Sequence, residues 1–90
     1  MKERDYAKRP FTEEEQAFAE ENHELMYKYM KAYKLDLEEW YDVLIIPYLQ
    51  VVKKYFSYPD LRKYKFEQIC FRTLDSARKN YLIKAERMKL

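Results

Sequence analysis

The chain contains no glycine and only three prolines, Pro10, Pro47 and Pro59, in ninety residues. Turns that need a positive φ fall to glycine because it alone has no Cβ to clash. A chain without it has few ways to build tight hairpins or glycine-rich loops. Helices joined by short polar connections remain. The chain therefore reads as all-α, a small three-to-four-helix bundle, and its length allows one core but not two.

Composition agrees with a folded domain. Hydrophobic residues are 48% and charged residues 38%, a balance outside the disordered range. No apolar run approaches the ~20 residues that span a bilayer. The N-terminus, MKERDYAKRP, lacks the apolar centre of a signal peptide. The single cysteine, Cys70, cannot make an internal disulfide. These features fit a cytoplasmic protein without a membrane partner.

The net charge of +2 conceals an asymmetry. Residues Met1 to Ile45 carry 7 Lys/Arg against 12 Asp/Glu, whereas Ile46 to Leu90 carry 11 against 4. Either the basic half offers a localised anion-binding surface, or an acidic helix balances a basic one within the fold.

Met1 to Pro10 read as a flexible arm, and residues 11–90 as one helical domain. Helix one starts near Thr12, where Thr12-Glu13-Glu14-Glu15 fits a capping box. Phe18, Leu25, Met26, Tyr29 and Tyr33 share one face, and Glu20, Glu24, Lys28 and Lys31 lie opposite. Glu24 and Lys28 have the spacing of a favourable i,i+4 pair. Helix two begins at Asp36, where Asp36 and Glu39 repeat the capping pattern, and runs to Tyr55 or Phe56. Trp40, Leu44, Tyr48, Val51 and Tyr55 form its core stripe. Ile45, Leu49, Val52 and Phe56 form a second stripe, too much for a small bundle to bury easily. A narrow polar strip holds Glu39, Asp42, Gln50 and Lys53, with Ile46 among them. Pro47 removes one backbone hydrogen bond and predicts a kink.

Ser57 to Lys63 form a connector, with a short helical turn expected at Pro59-Asp60. Helix three runs from about Lys65 into the basic tail. At about 100° per residue, Phe66, Ile69, Cys70, Thr73, Leu74, Ala77 and Tyr81 share an apolar side. Lys65, Gln68, Arg72, Ser76 and Lys79 share the other, with Phe71 on the boundary.

Catalytic and metal chemistry find no support in these residue patterns. His23 has no Cys, His or paired carboxylate at ligand spacing, and Cys70 sides with core residues. No phosphate loop, zinc spacing or nucleophile elbow occurs. The chain reads as a non-enzyme with no metal and no cofactor.

Three segments, in order and spacing, resemble the second conserved region of bacterial RNA polymerase sigma factors of the sigma-70 family. EENHELMYKYMKAYKLD, Glu20 to Asp36, is similar to the family's opening helix. DLEEWYDVLIIPYLQVVKKY, Asp36 to Tyr55, is similar to its polymerase-docking helix. YKFEQICFRTLDSARKNYL, Tyr64 to Leu82, is similar to its promoter-binding helix, matching at Tyr64, Lys65, Phe66, Arg72, Ala77 and Tyr81. The chain departs from the pattern at Val43, where the family has Glu, and at Asp75, where it has Arg. Family aromatics are replaced around Ile69, Arg72 and Thr73.

The resemblance implies a transcription-initiation module. Helix two would bind the largest-subunit clamp helices of core RNA polymerase through Glu39, Asp42, Ile46, Leu49 and Lys53. Helix three would bind the −10 element of promoter DNA, on the non-template strand, through Tyr64, Lys65, Phe71, Arg72, Ser76, Arg78 and Lys79. Phe71 is the main base-stacking candidate. The alternative is a protein-interaction module without DNA contact, using Ile45, Ile46, Leu49 and Phe56 against a partner or a second copy. Self-association through helix two is expected where no partner covers it.

Overall fold

The structure, a computed structural model, describes residues 10 to 88. The expected arm falls almost wholly on residues 1–9, outside that range. The described residues form four α-helices and one 3₁₀ turn, with no strand among them. In chain order these are α1 (Glu13–Glu21), α2 (Glu24–Ala32), α3 (Leu37–Ser57), the 3₁₀ turn Pro59–Lys63, and α4 (Phe66–Met88). The all-α expectation is met.

α3 is the spine. α4 packs antiparallel to it, with Trp40 against Tyr81 at one end and Tyr55 against Phe66 at the other, both at 5.2 Å between ring centroids. α1 and α2 cover the other side. Trp40, Leu44, Tyr48 and Val51 are buried as their stripe predicts, with Tyr55 partly buried. The second stripe is also covered, contrary to expectation. Val52 is fully buried, Ile45 and Leu49 pack on the core, and Phe56 meets Phe18 of α1 edge to face at 5.3 Å. Phe18 also contacts Phe66 at 4.8 Å, and Arg62 closes this aromatic end over Phe56. α1 is therefore the element that uses the surplus apolar girth of α3.

The expected first helix is two helices. Thr12 and Glu15 form the capping box, each side chain bonding the other's backbone N–H at 3.1 and 3.0 Å. The helix then breaks at Asn22–His23. Asn22 turns both its backbone N–H and its side-chain amide onto the Phe18 carbonyl. The His23 N–H bonds the Glu20 carbonyl instead of continuing the α pattern to Ala19. The Ala19 carbonyl thus loses its helical donor, and the buried Tyr48 hydroxyl supplies one at 2.6 Å. Burial raises the Tyr48 phenol well above its ordinary value, so it remains a donor.

α2 ends without glycine. Lys34 takes a left-handed conformation, φ 55°, and Leu35 N–H bonds back to the Met30 carbonyl at 2.8 Å while Lys34 N–H bonds that of Lys31. This is the Schellman closure, made with a lysine where glycine is usual. Asp36 stands at the start of α3 but makes no side-chain cap, so the second expected capping box is absent. α3 continues through Pro47 unbroken. Glu24–Lys28 does not form either: Lys28 reaches across to Glu67 of α4 at 2.8 Å. Cys70 is fully buried and its thiol is pushed up to about 12, chiefly by burial, so it behaves as a small apolar filler.

Two stability outcomes follow. Tyr48→Phe leaves the Ala19 carbonyl buried without a donor and should cost about 1–3 kcal/mol in urea unfolding. Lys34→Gly relieves a left-handed lysine, a strain of roughly 1–2 kcal/mol partly offset by unfolded-chain entropy. It should raise stability by about 0.5–1 kcal/mol, and a loss on this substitution would contradict the assigned turn.

Candidate nucleic-acid and partner interface

The outward face of α4 carries the basic row expected of it. Lys65, Gln68, Arg72, Ser76 and Lys79 are all exposed. The 3₁₀ turn sets the approach to this face: Pro59 opens it, and Tyr64 leaves it in an extended conformation with its N–H on the Leu61 carbonyl. Tyr64 is 57% exposed as a result. It lines a groove of about 430 Å³ between α3, the turn and α4, together with Lys54, Leu61, Gln68, Ile69 and Arg72. The groove combines one exposed aromatic ring, two cations, an amide and an aliphatic floor. Those are the groups that stack a planar base, neutralise its phosphate and read its edge. Lys54 and Leu61 belong to it although the sequence reading did not single them out, and Gln68, expected on the outward face, joins them. Lys54 comes from a different helix, so only the folded chain brings it to Arg72.

The structure places Phe71, Arg78 and Lys53 apart from the exposed groove. Phe71, the expected stacking platform, turns toward α2 and packs partly buried against Tyr29, edge to face at 5.4 Å. Its boundary position on the helix leaves it within reach of the α2 core, and burial there wins. Arg78 is spent internally. Its Nε donates to the Tyr29 hydroxyl at 2.9 Å, its Nη2 donates to Asp75 Oδ1 at 2.8 Å, and its guanidinium lies 4.9 Å over the Tyr33 ring. On α3, Lys53 is buried, with its ammonium 4.9 Å from the Phe11 ring. The chain entering α1 crosses α3 there and covers it. Of the expected polymerase-facing residues, Glu39, Asp42 and Ile46 are exposed, Ile46 by 56%, and Leu49 is partly buried.

Asp75, out of place as an acid on a basic helix, has a structural task. It accepts from Arg78 and from the Tyr29 hydroxyl, and pairs with Lys79 at 3.1 Å. The hydrogen bond from Arg78, then that from Lys79, hold its carboxyl down at about 2. Burial raises Tyr29, and the hydrogen bonds to Tyr29 and Asp75 raise Arg78 further above its already high value. The cluster ties α2 to α4 and lowers the net positive charge of the α4 surface.

His23 is likewise accounted for. Its Nε2 lies 2.8 Å from the Tyr41 hydroxyl, and its ring meets Tyr27 edge to face. Among the described residues no group of three or more His, Cys, Asp or Glu converges as a metal site, and no helix is long and apolar enough to cross a membrane. In comparisons with known proteins, no family model matches the chain, and no curated protein or solved structure is significantly similar to it.

The Asp75 carboxyl sits near 2 in the fold against an ordinary value near ~4. A lowered carboxyl contributes stability that is fully present above about pH 4 and lost as pH falls toward 2. Asp75→Asn should therefore lower the thermal midpoint at neutral pH, with the gap to the wild-type chain closing between pH 4 and pH 2. A gap that is constant with pH would show that the carboxylate charge contributes nothing.

Proposed function

We propose that the chain is a non-enzymatic transcription-initiation module that binds core RNA polymerase through α3 and single-stranded promoter DNA through α4 and the Tyr64–Arg72 groove. The observation that carries this reading is the groove itself. It gathers an exposed aromatic ring and two cations at the end of a basic helix face, on a domain whose remaining aromatics mostly pack on one another. The family likeness of the three segments supplies the partners. The −10 non-template strand is the DNA that a single-strand groove suits, and the exposed strip Glu39, Asp42 and Ile46, with Leu49 at its edge, is the surface available to the polymerase clamp helices. Tyr64, Lys65, Arg72, Ser76 and Lys79 are the DNA contacts of this reading, joined by Lys54 and Gln68. Phe71 and Arg78 support that surface from behind, and Lys53 has no contact role.

The division of labour is testable. Binding to a single-stranded oligonucleotide from a −10 region, measured by fluorescence anisotropy, should weaken steeply with salt. Arg72→Ala should reduce the slope of log K against log salt by about 0.7, one phosphate contact on a single strand. Tyr64→Ala should cost about 1–3 kcal/mol of binding with the fold intact. Phe71→Ala should lower thermal stability instead. Salt-independent or absent binding overturns the DNA half. For the other half, retention on purified core RNA polymerase should be lost in the Asp42→Arg, Ile46→Arg double variant. No retention of the wild-type chain overturns it.

A further inference from the structure

A second groove, of about 520 Å³, runs between the first half of α3 and the last turns of α4. Val43 and Pro47 form its α3 wall, and Ala77, Tyr81, Lys84 and Arg87 of α4 line it on successive turns. Steps of three or four residues keep that α4 row on one side of the helix. From Ala77 to Arg87 the row extends roughly 15 Å, at 1.5 Å per residue. The antiparallel register, with Trp40 beside Tyr81 and Tyr55 beside Phe66, sets Val43 and Pro47 at the Ala77 end. That end is apolar, and the Lys84–Arg87 end is basic. The groove is open to solvent: Tyr81 is 40% exposed, and both cations are exposed. No Asp or Glu lines it. Glu39, one turn before Val43 on α3, stays outside the lining, and helical spacing puts Glu86 on the far side of α4 from Ala77. Among the described residues, Lys84 and Arg87 enter no ion pair.

Shape and charge narrow the occupant. So open a trough would leave a small molecule largely in water, whereas small-ligand sites bury most of the ligand surface. A nucleic-acid strand calls for cations all along its phosphates, and here they stand at one end only. Strand addition has no edge to use, since the described residues contain no strand. Residues 1–9 of the chain carry Lys2, Arg4, Lys8 and Arg9 against Glu3 and Asp5, the wrong sign for this groove. A trough between two antiparallel helices fits a third helix laid along it, ridges into grooves. We propose that the α3–α4 groove docks an acidic amphipathic helix of another protein, about three turns long. Its aliphatic or aromatic side chains, at i, i+3 and i+4, seat on Val43, Pro47 and Ala77. Its carboxylates, one or two turns further along, meet Lys84 and Arg87. The proposal does not rest on the polymerase reading, because none of Glu39, Asp42, Ile46 and Leu49 lines this groove.

Selection of a phage-displayed library of helical peptides on the full ninety-residue chain tests the proposal without presuming the partner. Enriched peptides should combine an apolar i, i+3, i+4 pattern with Asp or Glu one or two turns away. Made synthetically and labelled with fluorescein, they should bind more weakly as salt rises. The Lys84→Glu, Arg87→Glu double variant should weaken them by about tenfold or more. An equal change of charge elsewhere, Lys31→Glu with Lys63→Glu, should leave affinity within about threefold. All these positions are exposed, and circular dichroism should show an unchanged fold. Amide NMR shifts on binding should centre on Val43, Ala77 and Lys84. No enrichment, enriched peptides without acidic residues, or indifference to the double variant would each overturn the proposal. Displacement of the peptides by a single-stranded oligonucleotide would assign the groove to nucleic acid instead. A dimer of the chain that excludes them in sedimentation would assign it to a second copy, and either result overturns the proposal. Polymerase retention, read through Asp42 and Ile46, is a separate measurement, so the two readings fail independently.

Discussion

Tyr48 is where the parts of this domain meet. Its ring is fully buried on the spine helix and lies between Phe66 of α4 and His23 of the α1–α2 junction. Its hydroxyl bonds a carbonyl that the break between α1 and α2 has deprived of its own donor. A buried carbonyl without a partner is costly, so the break and the tyrosine depend on each other. The break in turn lets α1 swing onto the C-terminal half of α3 while α2 reaches α4. One hydrogen bond thus supports the arrangement that covers both apolar stripes of the spine.

α4 shows how a helix can serve a core, a neighbour and solvent at once. Phe66, Cys70 and Leu74 fill the core, while Phe71, Asp75 and Arg78 turn to α2. The remaining strip, Lys65, Gln68, Arg72, Ser76 and Lys79, is left to solvent. The acid in the α2-facing row keeps the arginine and part of the lysine charge engaged inside the molecule. The basic surface that remains is smaller than the raw count of basic residues implies, and it includes Arg72 in the groove beside Tyr64. The ion pairs bear on the charge asymmetry only locally: Lys28–Glu67 joins a base of the acidic half to an acid of the basic half, and Asp75 pairs with Arg78 and Lys79 within α4.

The legibility of the sequence tracked how local each interaction is. The capping box at Thr12 was readable because both partners lie within one turn. The inward and outward faces of α4 were readable because a 3.6-residue period is imposed by the backbone itself. The break at Asn22–His23 was not, since nothing local forbids the helix and the compensating Tyr48 hydroxyl comes from another element. The second capping box failed for the converse reason, with suitable residues present at Asp36 and Glu39 and no bond formed. The packing of Phe71, Arg78 and Lys53 was not readable because boundary and long side chains follow whichever neighbour is packed beside them.

By itself, the sequence determined the helical class and most of the residues each segment would present inward. Those properties depend on backbone period and on the missing glycines, and they are fixed within single segments. Only the tertiary structure decided which apolar stripe of α3 meets α1 and which cations remain free. It also brought Lys54, Tyr64 and Arg72 into one groove, and Val43 and Lys84 into another. Charge pairing and concave shape join residues far apart in the chain, and the distance between such residues is set by how helices pack rather than by their order.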